Sequence, residues 1–140
     1  LAAAKGTRAG KAGSGKKRGG RLFRRAVERF LSDLERRNFS RHTVDAYRRD
    51  LERFARYLSE LTHEDEPRLS DFTAQRVRRY VAWMVSTRYA RRTVQRGLAA
   101  VRSLAKYLVA KNALAANPAL GMTAPRPEKR LPSFLTRKEA

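Results

Sequence analysis

RRTVQRGLAAVRSLAKYLVAK, residues 91–111, is the stretch whose reading decides the fold. Val94, Leu98, Val101, Leu104, Ala105 and Leu108 fall on one side of a helix that turns about 100° per residue. The opposite arc holds Arg92, Gln95, Arg96, Ala99, Arg102, Ser103 and Lys106. A segment divided in this way is a helix from Arg91 to Lys111 with one side against a core.

Widening the window sharpens the charge pattern. Between Asp71 and Glu128 there are eleven basic residues and no acid. Helical surfaces usually mix both signs, since like charges repel and opposite charges one turn apart attract. A one-signed stretch is costly unless a polyanion neutralises it, and nucleic acid is the commonest such partner. The excess is uneven. Residues 22–61 hold ten basic and seven acidic groups, whereas residues 1–21 hold seven basic groups and none acidic.

Upstream, Phe23, Val27, Phe30, Leu31 and Leu34 predict a first helix over Leu22–Arg37. Asn38 and Phe39 interrupt it, and Ser40 is placed to cap a second helix running to Leu61. The stripe of that helix is Val44, Tyr47, Leu51, Phe54, Leu58 and Leu61. A loop over Thr62–Ser70 contains Pro67, and a third helix is expected over Thr73–Thr87. Asn117-Pro118 marks a turn, with room for a short helical turn at Ala119–Met122. Strand patterns are lacking. The expected fold is all-α, a small bundle of four principal helices.

Three parts are expected: a disordered basic tail over 1–20, a helical DNA-binding domain over 21–124, and a linker with the start of a further domain over 125–140. The tail is rich in Gly, Ala, Lys and Ser and has too little apolar surface to offset chain entropy. Its Gly10–Lys17 run mimics a phosphate-binding loop but ends in Lys and follows no strand, so that reading fails. Pro125, Pro127 and Pro132 impose an extended path, and Thr136 with Glu139 forms a capping box that opens a new helix.

Composition excludes several functions. The net charge is +20 and there is no Cys, so thiolate metal sites, disulfides and Cys nucleophiles are ruled out. No apolar run is long enough to span a membrane. His42 and His63 stand alone without metal-ligand spacing, and no catalytic set of Ser, His and Asp or of paired carboxylates is present. No catalytic residue, metal or cofactor is therefore expected within this chain.

Two clusters are candidates for DNA binding. On the fourth helix they are Arg91, Arg92, Gln95, Arg96, Arg102, Ser103 and Lys106. Arg and Gln can each bond two acceptors on a base edge, Lys and Ser can hold phosphates, and the small Ala99 lets the helix enter a major groove. The second cluster is Ser40, Arg41, His42, Thr43 and Arg48, at a helix N-terminus where free N–H groups favour anions.

Two runs stand out from Leu22 onward: Ser40-Arg-His-Thr43-Val-Asp-Ala-Tyr47-Arg-Arg-Asp-Leu51-Glu-Arg-Phe54 and Thr93-Val-Gln-Arg96-Gly-Leu98-Ala-Ala-Val-Arg102-Ser. Tyr107-Leu108, Asn117-Pro118 and the terminal Leu131-Pro132 follow them. In their order and spacing the chain resembles the N-terminal core-binding domain of the tyrosine recombinases, most of all the Xer-like ones. The resemblance implies a SAM-like bundle whose second and fourth helices face the major groove of double-stranded DNA. It also implies that the catalytic arginines, lysine, histidines and tyrosine belong to a C-terminal domain, which cuts and rejoins DNA through a 3'-phosphotyrosyl intermediate. None of those residues maps onto this sequence, so Tyr47, Tyr57, Tyr80, Tyr89 and Tyr107 are not nucleophiles. The implied partners are that catalytic domain and further protomers, two at a site and four at a synapse. The implied setting is cytoplasmic and nucleoid-associated, and the choice of role among chromosome-dimer resolution, phage integration and integron or transposon movement stays open. Gly97 and Ala99 depart from the bulkier residue and the Ser common at those places. Two other readings of the residues stay open: a non-catalytic architectural or regulatory DNA-binding protein, and a helical module that binds an acidic protein.

Overall fold

The computed structural model describes residues 21–124. Four α-helices make up the fold: α1 (Phe23–Arg36), α2 (Arg41–Thr62), α3 (Ala74–Ser86) and α4 (Arg91–Ala110). A 3-10 turn, Leu69–Asp71, interrupts the loop between α2 and α3. The only sheet-like pairing among the described residues is the isolated bridge between Leu22 and Arg68. The all-α expectation is met, with helix ends within about two residues of the predicted ones. The 3-10 turn was not foreseen. At Ala119–Met122 the chain makes turns rather than a helix, through Leu120 N–H to the Asn117 carbonyl at 3.2 Å and Met122 N–H to the Ala119 carbonyl at 3.2 Å. The expected tail, linker and capping box lie outside the described residues.

The helices are held by one apolar core. Phe23, Leu51, Phe54, Leu58, Val77, Tyr80, Met84, Val101 and Leu104 are fully buried or nearly so. Aromatic edges organise its centre: Phe23 meets Phe54 and Phe72 with ring centroids 5.6 Å apart, and Phe54 meets Tyr80 at 4.8 Å. Edge-to-face contacts of this kind add to the area term of burial. Trp83 sits half-buried at the bundle edge among Tyr57, Tyr80 and Tyr89.

The bundle is a repeat of one helical hairpin. Shifting by fifty positions lays α1–α2 on α3–α4: Arg41, Thr43 and Val44 fall on Arg91, Thr93 and Val94, and Ala55, Tyr57 and Leu58 on Ala105, Tyr107 and Leu108. The connecting turns match as well. Asn38 (φ 65°) and Arg88 (φ 66°) are both left-handed. Phe39 N–H reaches the Leu34 carbonyl at 3.1 Å, as Tyr89 N–H reaches that of Met84 at 3.1 Å. These are Schellman closures, which satisfy helix-end carbonyls. The ends of α2 and α4 close likewise, with His63 and Asn112 left-handed. The repeat sets the N-termini of α2 and α4 in equivalent positions.

Candidate nucleic-acid interface

α2 packs against both α1 and α4, so it can share a surface with α4. Between them runs a groove of about 230 Å³ lined by His42, Thr43, Ala46, Tyr47, Asp50, Arg96, Ala99 and Ala100. His42, Thr43 and Arg96, taken from two distant stretches of sequence, meet there. Small residues at 46, 99 and 100 keep it open.

The two helix starts differ in one respect. Ser40 caps α2: its hydroxyl oxygen accepts from Thr43 N–H at 3.1 Å, while its O–H donates to the Thr43 hydroxyl at 2.9 Å. The equivalent residue on α4 is Ala90, which has no side chain to cap with. The first N–H groups of α4 therefore keep no side-chain acceptor, and Arg91 and Arg92 stand exposed beside them. Free amides, helix dipole and two guanidinium groups act together on an anion.

Asp50 is the main addition to what the sequence suggested. It is 1% exposed and is the buried charged side chain of the described core. Arg96 grips it side-on, Nε to Oδ2 at 3.0 Å and Nη2 to Oδ1 at 3.1 Å, and Arg53 Nη1 adds a bond at 3.2 Å. Such two-pronged charged bonds are strong and geometrically specific. These hydrogen bonds, then the carboxylate charge itself, push the Arg96 guanidinium above its ordinary range. Arg96 remains half exposed. Its Nη1 forms no bond among the described residues and can reach outward while its other nitrogens are held. A signal for Asp50 was available, since it sits between Tyr47, Leu51 and Phe54 on the apolar stripe of α2. A carboxylate there demands a basic partner on the facing helix.

The other candidates divide by what they already touch. Arg91, Arg92, Gln95, Lys106, Arg41 and His42 are exposed and make no side-chain hydrogen bond or ion pair among the described residues. Ser103 is half-buried at the head of a second groove, with Lys106, Phe39 and Arg37. Arg48 pairs with Glu28 of α1 at 2.8 Å, an exposed contact that a phosphate could replace at little cost. Arg102 is taken up inside the fold, its Nη2 donating to the Met122 carbonyl where the last turns pack back on α4. Among the described residues no cluster of His, Cys, Asp and Glu could hold a metal ion, and no helix is long and apolar enough to cross a membrane.

Comparison with known proteins agrees with this architecture. Residues 27–112 match the family described as phage integrase, N-terminal SAM-like domain, and the chain belongs to that family. Among curated relatives it is 37% identical over 119 residues to the tyrosine recombinase XerC of Pelotomaculum thermopropionicum, covering 81% of this chain and 38% of that protein. It is 32% identical over 123 residues to the XerC of Xanthomonas axonopodis pv. citri, covering 82% and 40%. The XerC of Natranaerobius thermophilus is 33% identical over 114 residues, covering 79% and 36%. The chain thus spans about two fifths of the length of these relatives. No solved structure gives a significant match.

Proposed function

We propose that this chain is the DNA-gripping portion of a site-specific tyrosine recombinase of the Xer kind. The observation that carries the reading is the acid-free outer face of α4, where Arg91, Arg92, Gln95 and Lys106 are exposed without partners among the described residues. A duplex laid along α4 would meet the N-terminal amides and Arg91 and Arg92 as phosphate contacts. Gln95 and the outward nitrogen of Arg96 are the groups suited to base edges. Arg41, His42 and Thr43 extend the same surface onto α2, and Ser40 and Ser103 flank it. Cutting and rejoining through a 3'-phosphotyrosyl intermediate would belong to a catalytic portion of a longer protein. This segment would supply affinity, orientation and part of the sequence reading, on protomers assembled on DNA in the cytoplasm. The family match and the XerC relatives support this reading, as does the site chemistry.

Salt dependence tests it. Phosphate neutralisation releases counterions, and each lost contact makes the plot of log affinity against log salt shallower by about 0.9. Duplex titrations of the Arg91→Ala/Arg92→Ala variant are expected to show weaker binding and a slope reduced by about 1.8. Equal affinity and equal slope in variant and parent would remove α4 from the interface.

A further inference from the structure

A second cationic surface lies away from the α2–α4 groove and shares no residue with it. It is a cleft of about 620 Å³ between the start of α1 and the end of α4. Arg21, Arg25 and Arg29 stand on one side and Lys111 on the other. Arg25 and Arg29 are one helical turn apart, about 6 Å along α1. None of the four makes an ion pair among the described residues. The acids of the neighbourhood are engaged elsewhere: Glu28 with Arg48, and Glu52 and Glu66 with Arg24. Lys111 instead holds its ammonium 5.9 Å from the centre of the Tyr107 ring.

The floor differs in character from the rim. Leu22, Ala26, Leu69 and Leu108 line its bottom, Leu22 half-buried and the other three almost wholly buried, so the recess is apolar only where Leu22 and the edges of its neighbours show. A row of cations alone would suit a phosphate backbone. A concave apolar floor between cations does not, because a duplex offers nothing apolar to fill it and the floor would stay wet. A peptide helix that alternates carboxylates with apolar side chains satisfies both parts at once. Its carboxylates meet the rim and its apolar stripe enters the cleft, which is the helix-in-groove mode of recognition. The volume lies within the range of sites that enclose several apolar groups.

We propose that the α1–α4 cleft docks an acidic amphipathic helix from a partner protein, independently of the DNA face. Attraction between the positively charged rim and the partner's carboxylates would bring the two together, and burial of the apolar stripe would hold them. The full chain can therefore engage a duplex and an acidic protein on separate surfaces.

The test uses the full chain and a labelled synthetic peptide helix with Glu residues one turn apart beside a stripe of Leu. Fluorescence anisotropy is expected to show saturable binding, weakened about tenfold or more in Arg25→Glu/Arg29→Glu and unchanged in Arg91→Glu/Arg92→Glu. Duplex binding should show the reverse preference. A peptide with Ser in place of Leu should bind about tenfold more weakly, since only the charge remains. Circular dichroism confirms that each variant folds, and Arg25→Gln/Arg29→Gln serves if the Glu pair does not. The proposal is overturned if the parent chain ignores the peptide, if the Ser peptide binds as tightly, or if cleft variants leave peptide affinity intact. It is also overturned if those variants impair duplex binding as much as Arg91→Glu/Arg92→Glu does, which would make the cleft a DNA surface.

Discussion

Asp50 and Tyr80 are two polar residues of the core in opposite conditions. Asp50 has all its partners, and Arg96 depends on it for position. Replacing Asp50 with Ala leaves Arg53 and the inner side of Arg96 unpaired, and should cost about 2 kcal/mol in urea unfolding. It should also weaken duplex binding, because Arg96 would then lose its fixed orientation. A variant with unchanged stability would show that the Asp50 bonds contribute nothing net. Tyr80 is the contrary case. Its hydroxyl is buried with no hydrogen-bond partner, and although Arg53 is near enough to act on its charge, no bond of acceptable geometry reaches it. Burial pushes the phenol well above the ordinary tyrosine range. A raised folded pKa means stability that is complete below about pH 10 and lost as pH rises towards the folded value. Tyr80→Phe should therefore stabilise the fold by about 1 kcal/mol and delay alkaline unfolding above about pH 10. A lower melting temperature in the Phe variant would mean that the hydroxyl has a partner after all.

At the scale of elements, the helices were legible because their apolar residues recur at helical spacing and Ser40 supplies a cap for α2. Thr73 accepts from Arg76 N–H at 3.3 Å, and Ser40 does the same for Thr43. What sequence reading missed has physical reasons. The left-handed ends of all four helices use Asn38, His63, Arg88 and Asn112 instead of glycine, so no glycine marks them. The turn at Leu69–Asp71 is local chemistry: Asp71 accepts from Arg68 N–H at 2.8 Å, and three residues leave no periodicity to detect. The hairpin repeat was present in the sequence at 41–44 and 91–94, but its conserved features are mostly burial pattern. Arg102 shows the limit of a helical wheel, which places it on the outer arc without knowing that residues 113–124 return to cover it. Packing does not require glycine at 97, since a Cβ there would lie 3.4 Å from the Met84 methyl, an ordinary contact with the flexible end of a side chain. Gly97→Ala should thus gain about 0.5–1 kcal/mol in thermal melts through helix propensity. A loss of stability would show that α3 and α4 need their present closeness.

For the whole molecule, charge and core divide the labour. The balanced α1–α2 half engages some of its acids in internal pairs, among them Arg24 with Glu52 and Arg48 with Glu28. The α3–α4 half has no acid to spend, so its surface stays one-signed. That asymmetry was readable from the sequence, as was most of the candidate surface. The place of Asp50 on the apolar stripe of α2 was readable too, but that Arg96 is the residue that answers it became visible only when α2 and α4 were brought together. The central claim is that the outer face of α4, with the start of α2, lies against a duplex. Amide chemical-shift mapping during titration with double-stranded oligonucleotide at low ionic strength tests it most directly. Shifts should concentrate at residues 41–43 and along 91–106, with the outer side of α3 unmoved. Shifts confined to α1 and α3, or no shifts at all, would contradict the account.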